Sequence, residues 1–393
     1  MQRRKYLVVR RDNIGDLVLT TPLIHALRQH QPDAWIGALV NSYNAPVLRG
    51  NPDLDAVFAY DKAKHRRSQS RFAVYRHTLR LLLQLRSMQI DTVILAGPGA
   101  QHQAYGMARW LKAGAVLGFT TPGFAPAGIT VPVAYGNGAA LHETADIFRL
   151  LAPLGIDANT PIPPCSVRAD AALVNPLRAR VIATLGERQR GPQLPSASPS
   201  SSQPQPQPQR QPPSQPQPQP PSQPQPHSGP LPRPWIGIQI SARRVKQRWP
   251  VARFAALMQQ LHATQGAVFL LFWSPGAADD ARHPGDDARA RELIDELPEN
   301  FPVFACASSD LPSLIAGLAL TGAVITPDGG AMHLAAALGK PVVALFGDSP
   351  VTRWRPWGVA HEVVQAASGD VADVPVSDVV AAWNRLAPRV SMA

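Results

Sequence analysis

A chain of 393 residues is too long for one compact core and suits two domains of ordinary size; with 45% hydrophobic and 17% charged residues, most of it can bury a core. The formal net charge of +11 is carried early, since residues 1–160 hold 18 Lys+Arg against 10 Asp+Glu while residues 233–393 hold 14 against 15. No uninterrupted apolar stretch reaches about 18 residues, which argues against a transmembrane helix, and no RRM, KH, zinc-finger or helix-turn-helix pattern accompanies the charge, which argues against nucleic acid.

The amino terminus, Met1 to Lys5, is basic, but the apolar run Tyr6–Val9 stops at Arg10, too short for a signal-peptide core and suited to a first strand. The turn Arg10 to Asp16 follows, and then a helical run from Leu17 to Arg28. In an open parallel sheet, ligands bind beyond the carboxyl ends of the strands, so Asp16 faces a cleft or, more plainly, caps a helix and meets its dipole. Further strands are predicted at Trp35–Val40, Ala56–Tyr60 and Thr92–Ala96, with helices over Phe72–Met88 and from about His142 to Leu154. Between them stands a basic stretch containing Lys62, Lys64, Arg66, Arg67, Arg71, Arg76 and Arg80, which suits an anionic partner or is a solvated face.

Cys165 and Cys306 lie far apart without metal-ligand or CxxC spacing, which argues against a disulfide framework or a structural zinc and fits a reducing cytoplasm. From Pro192 to Pro232 the chain holds 16 of its 42 prolines, many alternating with Gln, so this segment can join neither sheet nor helix and reads as a linker or insertion. The expected division is therefore a first domain over 1–165, a connection over 166–191, the Gln/Pro segment over 192–232 and a second domain over 233–393.

The alternation restarts after that segment: strands Trp235–Ile240, Val268–Trp273, Val303–Ala305, Ala323–Thr326 and Val342–Phe346, with helices Val251–Thr264, Ala288–Leu297, Leu311–Leu320 and Ala331–Leu338. Two such series predict two α/β domains, each a doubly wound parallel sheet. Two loops of this half suit phosphate. Ser241 to Pro250 carries Arg243, Arg244, Lys246 and Arg248 beside a hydroxyl. Thr326 to His333 places Asp328, Gly329 and Gly330 at a strand-to-helix junction, where glycines admit a ligand to the backbone and the helix start favours an anion. Asp328 would resist phosphate, so it caps the helix or bonds a sugar or ribose hydroxyl. Phe346 to Pro350 and Arg353 to Pro356 form another strand-end loop.

Together these pieces resemble glycosyltransferase family 9, the ADP-heptose:lipopolysaccharide heptosyltransferases. The resemblance is carried by Asn13 to Pro22, His142-Glu143, Lys246 to Pro250, and Asp328 to Leu338 with Lys340-Pro341 and Phe346-Gly347, in order across both domains. It implies a GT-B architecture, two Rossmann-like domains facing a central cleft, the first taking the acceptor and the second the nucleotide-sugar. It further implies inverting transfer with Asp16 as general base, Lys246 with the Gly329 and Gly330 backbone against the leaving diphosphate, Ser241 on a donor phosphate, Asp328 on the donor sugar and His333 supporting that loop. Gly329 stands where the family usually carries Ser or Thr, so one hydroxyl contact to the donor is missing. No metal or resident cofactor is implied, the nucleotide-sugar being a substrate.

The partners expected on this basis are ADP-heptose, an anionic glycolipid or glycan acceptor met by Lys62, Lys64, Arg66 and Arg67, and a peripheral membrane surface on the cytoplasmic side of the inner membrane. A transferase using another nucleotide-sugar or surface glycan, a nucleotide-sugar-binding scaffold without turnover and a sugar-nucleotide epimerase are the competing readings.

Overall fold

The computed structural model describes residues 3–61, 71–97, 102–121, 126–136, 141–157, 159–190, 235–280 and 284–390; the Gln/Pro segment lies outside them. Its frame is two six-stranded sheets in which every pairing is parallel. The first comprises β1 (Lys5–Val9), β2 (Trp35–Asn41), β3 (Ala56–Tyr60), β4 (Thr92–Leu95), β5 (Ala115–Thr120) and β6 (Val131–Ala134), in the order β3-β2-β1-β4-β5-β6. The second comprises β7 (Ile236–Gln239), β8 (Phe269–Trp273), β9 (Val303–Ala307), β10 (Ala323–Pro327), β11 (Val342–Phe346) and β12 (His361–Gln365), in the order β12-β11-β10-β7-β8-β9. Counted from its own first strand, each sheet has the same order. In both, the direction of winding reverses beside that first strand, which is where an open α/β sheet binds its ligand.

Helices cover both faces, so the central strands are buried on each side and read as unbroken apolar runs such as Val342–Phe346. The first half contributes α1 (Ile14–Val18), α2 (Thr21–His30), α3 (Arg71–Ser87), α4 (His102–Leu111), α5 (Glu143–Phe148) and α6 (Ala171–Arg190). The second contributes α7 (Val251–Gln265), α8 (Asp287–Asp295), α9 (Leu311–Leu320), α10 (Gly330–Ala337), α11 (Val351–Trp354) and α12 (Val376–Val390). Helix α6 packs on α9 and β9, so the chain has reached the second sheet before the Gln/Pro segment begins. One apolar cluster runs through both halves, joining Leu17 and Val18 of α1 to Met332 and Leu334 of α10.

Several local details depart from the sequence expectation. The helix expected from Leu17 starts three residues earlier, as the short α1, and a second helix restarts at Thr21 with Pro22 in its first turn, where a missing N–H costs nothing. Asp16 therefore lies inside a helical turn rather than before it. The helix expected from His142 to Leu154 is α5 followed by a 3-10 turn over Arg149–Leu154, which contains Pro153 and ends on Gly155 with a φ of 87°. Strands β5, β6 and β12 go beyond the expected set; the edge strands β6 and β12 lack the fully apolar signature of a central strand, whereas β5 is buried along its centre and was missed despite it.

The second half's site loop is pinned from behind. Trp249 is completely buried, its Nε1 donates to the Val374 carbonyl at 2.9 Å, and its ring meets Phe254 edge-on at 4.8 Å.

Candidate active site

The loops after β1, β7 and β10 emerge at the two points of reversal and enclose a cavity of about 640 Å³. The first half lines it with Asn13, Ile14, Gly15, Asp16 and Tyr43. The second contributes Arg243, Arg244 and Gln247 after β7, then Asp328, Gly329, Gly330 and His333 around the start of α10, and Asp348, Ser349, Pro350 and Trp354 after β11.

Asp16 is held from two sides. Its Oδ2 accepts from the Asn13 backbone N–H at 3.0 Å, the reach-back bond of a helix start, and its Oδ1 accepts from Arg10 Nη2 at 3.0 Å. Arg10 directly follows β1 and is only 1% exposed. Its Nη2 also donates to Glu143 Oε1 at 3.0 Å, its Nε stands 3.0 Å from Asp12 Oδ2, and its Nη1 donates to the Ala96 carbonyl. Burial works against the guanidinium's charge, but Asp16, Glu143 and Asp12 outweigh it and raise the Arg10 pKa, so the cation is secured among carboxylates. Beside them, burial and then the negative charge of Asp16 push the Tyr43 phenol up to about 12.

Across the cavity, Asp328 directly follows β10. Gln247 Nε2 donates to its Oδ2 at 2.9 Å and reaches Ser349 Oγ at 3.2 Å. Burial raises the Asp328 carboxyl above its ordinary value, with Ser349 and Arg244 opposing. The cap position of α10 is Gly329, which offers no side-chain bond to the helix, so a capping role for Asp328 is not what the geometry gives. The first N–H groups of α10 have no intrahelical partner and border the cavity. Gly329 has a φ of 154°, a conformation side chains rarely adopt. Gly15 serves close approach: a Cβ there would lie 2.6 Å from His333 Cδ2, so α1 and α10 touch through a missing side chain.

Two histidines sit at this junction of the halves. His142 Nε2 donates to the Arg355 carbonyl at 2.8 Å while its Nδ1 accepts from the Thr144 N–H at 3.2 Å, an arrangement only the neutral ring can make. Burial holds both His142 and His333 down to about 4, and among the described residues the Nδ1 of His333 has no hydrogen-bond partner. Each ring takes up a proton more readily unfolded, near pH 6.5, than folded. Their stabilisation is thus complete above about pH 6.5 and is lost as pH falls toward 4, at a cost of roughly 3 kcal/mol per ring. Urea unfolding at pH 7.5 and 4.5 should show that loss; equal midpoints would mean the rings are protonated without penalty.

Asp16, Asp328, Gly329, Gly330 and His333, singled out from the sequence, are thus brought together. Ser241 and Lys246 are not in the lining. Ser241 Oγ instead accepts from the Ser274 N–H at 2.9 Å, and Lys246 is exposed on the 3-10 turn Val245–Gln247. From this loop it is Arg243, Arg244 and Gln247 that face the cavity. Lys62, Lys64, Arg66 and Arg67 lie outside the described residues. Sequence reasoning did not single out Arg10, Tyr43, Gln247 or Ser349. Arg10 had a signal, a charge at the carboxyl end of a buried strand; Tyr43 had none. Among the described residues no group of three or more His, Cys, Asp or Glu side chains could hold a metal ion.

The family model for glycosyltransferase family 9 (heptosyltransferase) matches residues 189–382. Lipopolysaccharide heptosyltransferase 3 of Escherichia coli is 24% identical over 369 residues, 93% of this chain and 89% of that protein. Lipooligosaccharide heptosyltransferase 2 of Haemophilus influenzae is 31% identical over a shorter stretch, 34% of this chain and 36% of that protein. Among solved structures, a glycosyl transferase family 9 protein from Veillonella parvula superposes with a TM-score of 0.71 at 18% identity, covering 98% of this chain and 97% of that one. The E. coli heptosyltransferase WaaC with ADP superposes with a TM-score of 0.67 at 15% identity, covering 97% and 99%. The twin parallel sheets, the cleft between them and these likenesses agree: the fold is GT-B, and residues 189–382 carry the glycosyltransferase family 9 (heptosyltransferase) domain.

Proposed function

We propose that this glycosyltransferase moves heptose from ADP-heptose onto a lipopolysaccharide core or related glycan, with inversion at the anomeric carbon. The observation that carries the reading is the opposition, across one cavity, of a clamped carboxylate, Asp16, and the bare amino terminus of α10 with its neighbouring cations. The names of the relatives support heptose and lipopolysaccharide, and WaaC was solved with ADP.

In this mechanism Asp16 accepts the proton of the acceptor hydroxyl as its oxygen attacks the anomeric carbon. The bond to the diphosphate breaks on the opposite face, and the charge that develops there meets the N–H groups of α10 and the cations Arg243, Arg244 and Lys246. Asp328, with its ordinary acidity weakened by burial, bonds a hydroxyl of the donor sugar, and Gln247 and Ser349 hold it in place. His333 supports the loop. Ser241, whose Oγ accepts the Ser274 N–H, keeps its own O–H to donate to a donor phosphate. The first domain takes the acceptor, whose phosphates meet the basic stretch around Lys62 to Arg67, and the enzyme works peripherally on the cytoplasmic face of the inner membrane. Among the described residues no helix is long and apolar enough to cross a membrane.

Calorimetric titration with ADP, UDP, GDP and CMP tests the donor assignment. ADP should bind in preference, and Arg244→Ala and Lys246→Ala should each weaken it by about tenfold or more, the worth of a charge-assisted hydrogen bond. Preference for another nucleotide would reassign the donor, and absence of any binding would favour a degenerate protein.

A further inference from the structure

Glu143 is the point where the two halves are tied to the proposed base. Its side chain is fully buried, with one oxygen 3.0 Å from Arg10 Nη2 and the other bonded by Arg353, which comes from α11 of the second half. The Arg10 nitrogen that reaches Glu143 is the same one that reaches Asp16, also at 3.0 Å, so a single donor group is divided between two carboxylates. Arg353 is anchored in turn by Asp146 Oδ2 at 3.2 Å and by the Tyr135 hydroxyl, while the other oxygen of Asp146 is taken by Arg149 at 3.1 Å. Helix α11 directly follows the loop of Asp348 to Pro350 that lines the cavity, but Arg353 is not part of the lining.

We propose that Arg353 is a positioning residue for transfer: by holding Glu143 from the second half it leaves Arg10 to fix Asp16, and so makes the orientation of the base depend on engagement of the two halves. The inference rests on the reading of Asp16 as the base. Its physical basis is competition. Without Arg353, Glu143 is left with Arg10 as its remaining cation in a water-poor site where attraction at hydrogen-bond distance is strong, and it draws the shared guanidinium toward itself. Asp16 then keeps the Asn13 bond but loses its second point of attachment. A carboxylate free to swing spends less time at attack geometry, and small displacements there are costly in rate.

The test is steady-state transfer kinetics on the full chain carrying Arg353→Met, with ADP affinity by calorimetry and thermal melting alongside. The expected result is a kcat about 10- to 100-fold lower, from the usual coupling within one ion-pair network, with ADP affinity unchanged. Arg353→Lys, which keeps one charge-assisted bond, should retain part of the rate. The double variant Arg353→Met with Glu143→Gln should recover rate over Arg353→Met alone, because a neutral amide no longer competes for Arg10. A folded Arg353→Met with wild-type kcat, a raised donor KM at unchanged kcat, or a double variant that regains nothing would each overturn the proposal. If Arg353→Met does not fold, Arg353→Lys with and without Glu143→Gln decides by the same rescue. Should Asp16→Asn itself retain transfer, the base assignment fails; Asp16→Asn inactive with Arg353→Met at full rate rejects the positioning role alone.

Discussion

Asp16→Asn is expected to lower the transfer rate at saturating donor by about 10²- to 10⁴-fold, the usual worth of a general base. ADP affinity should stay as in the unaltered protein, because the cations and helix terminus proposed to meet the diphosphate belong to the second half. The substitution is nearly isosteric: the amide oxygen can still accept from Asn13 or Arg10, and Arg10 keeps Glu143 and Asp12 as counter-charges. Rate and binding must be measured on the same preparation. Full transfer by the folded variant would move the base elsewhere, and loss of ADP binding along with rate would point to a damaged cleft rather than a missing proton acceptor.

Arg10→Met should have the largest effect on stability of any single change around the cavity. It removes one cation and leaves three carboxylates, Asp12, Asp16 and Glu143, within reach of one another, with Glu143 and the guanidinium's place wholly buried. Breaking a buried pair from one side costs about 3–5 kcal/mol, because the remaining charge has no water to turn to. Urea unfolding should register that loss, and transfer should fall with it, since Asp16 is left held only through Asn13. Arg10→Lys should be intermediate: it restores the charge, but a point charge cannot divide itself among Asp16, Glu143 and the Ala96 carbonyl as the planar fork does. A midpoint unchanged in Arg10→Met would mean that water enters the site and the ion-pair chain is not a structural element.

These two residues mark where sequence reasoning reaches and where it stops. Asp16 was legible because its evidence is local: a buried strand ends, a turn follows, and an acid opens the next helix. Arg10 lies in the same turn and reads there as one more member of a basic run. In the sequence Glu143 reads as part of a motif and Arg353 as part of a loop, yet their meeting cannot be inferred from either neighbourhood. The same holds for Gln247, which was overshadowed by the cations around it. A glutamine in a basic loop carries no signal until the fold places it beside Asp328 and Ser349.

By itself the sequence determined the alternation of strand and helix, the two α/β series and the loops that would carry chemistry. Each depends on periodicity, turn residues and charge within about a dozen neighbouring positions. The tertiary structure decided which loops face one another and which charges are neutralised. Glu143 is 133 residues from Arg10 and 210 from Arg353, and no local pattern encodes contacts at such separations. They arise because both sheets reverse their winding beside their first strands and close on each other through Gly15 and His333, burying in one place ions that the sequence scatters along its length.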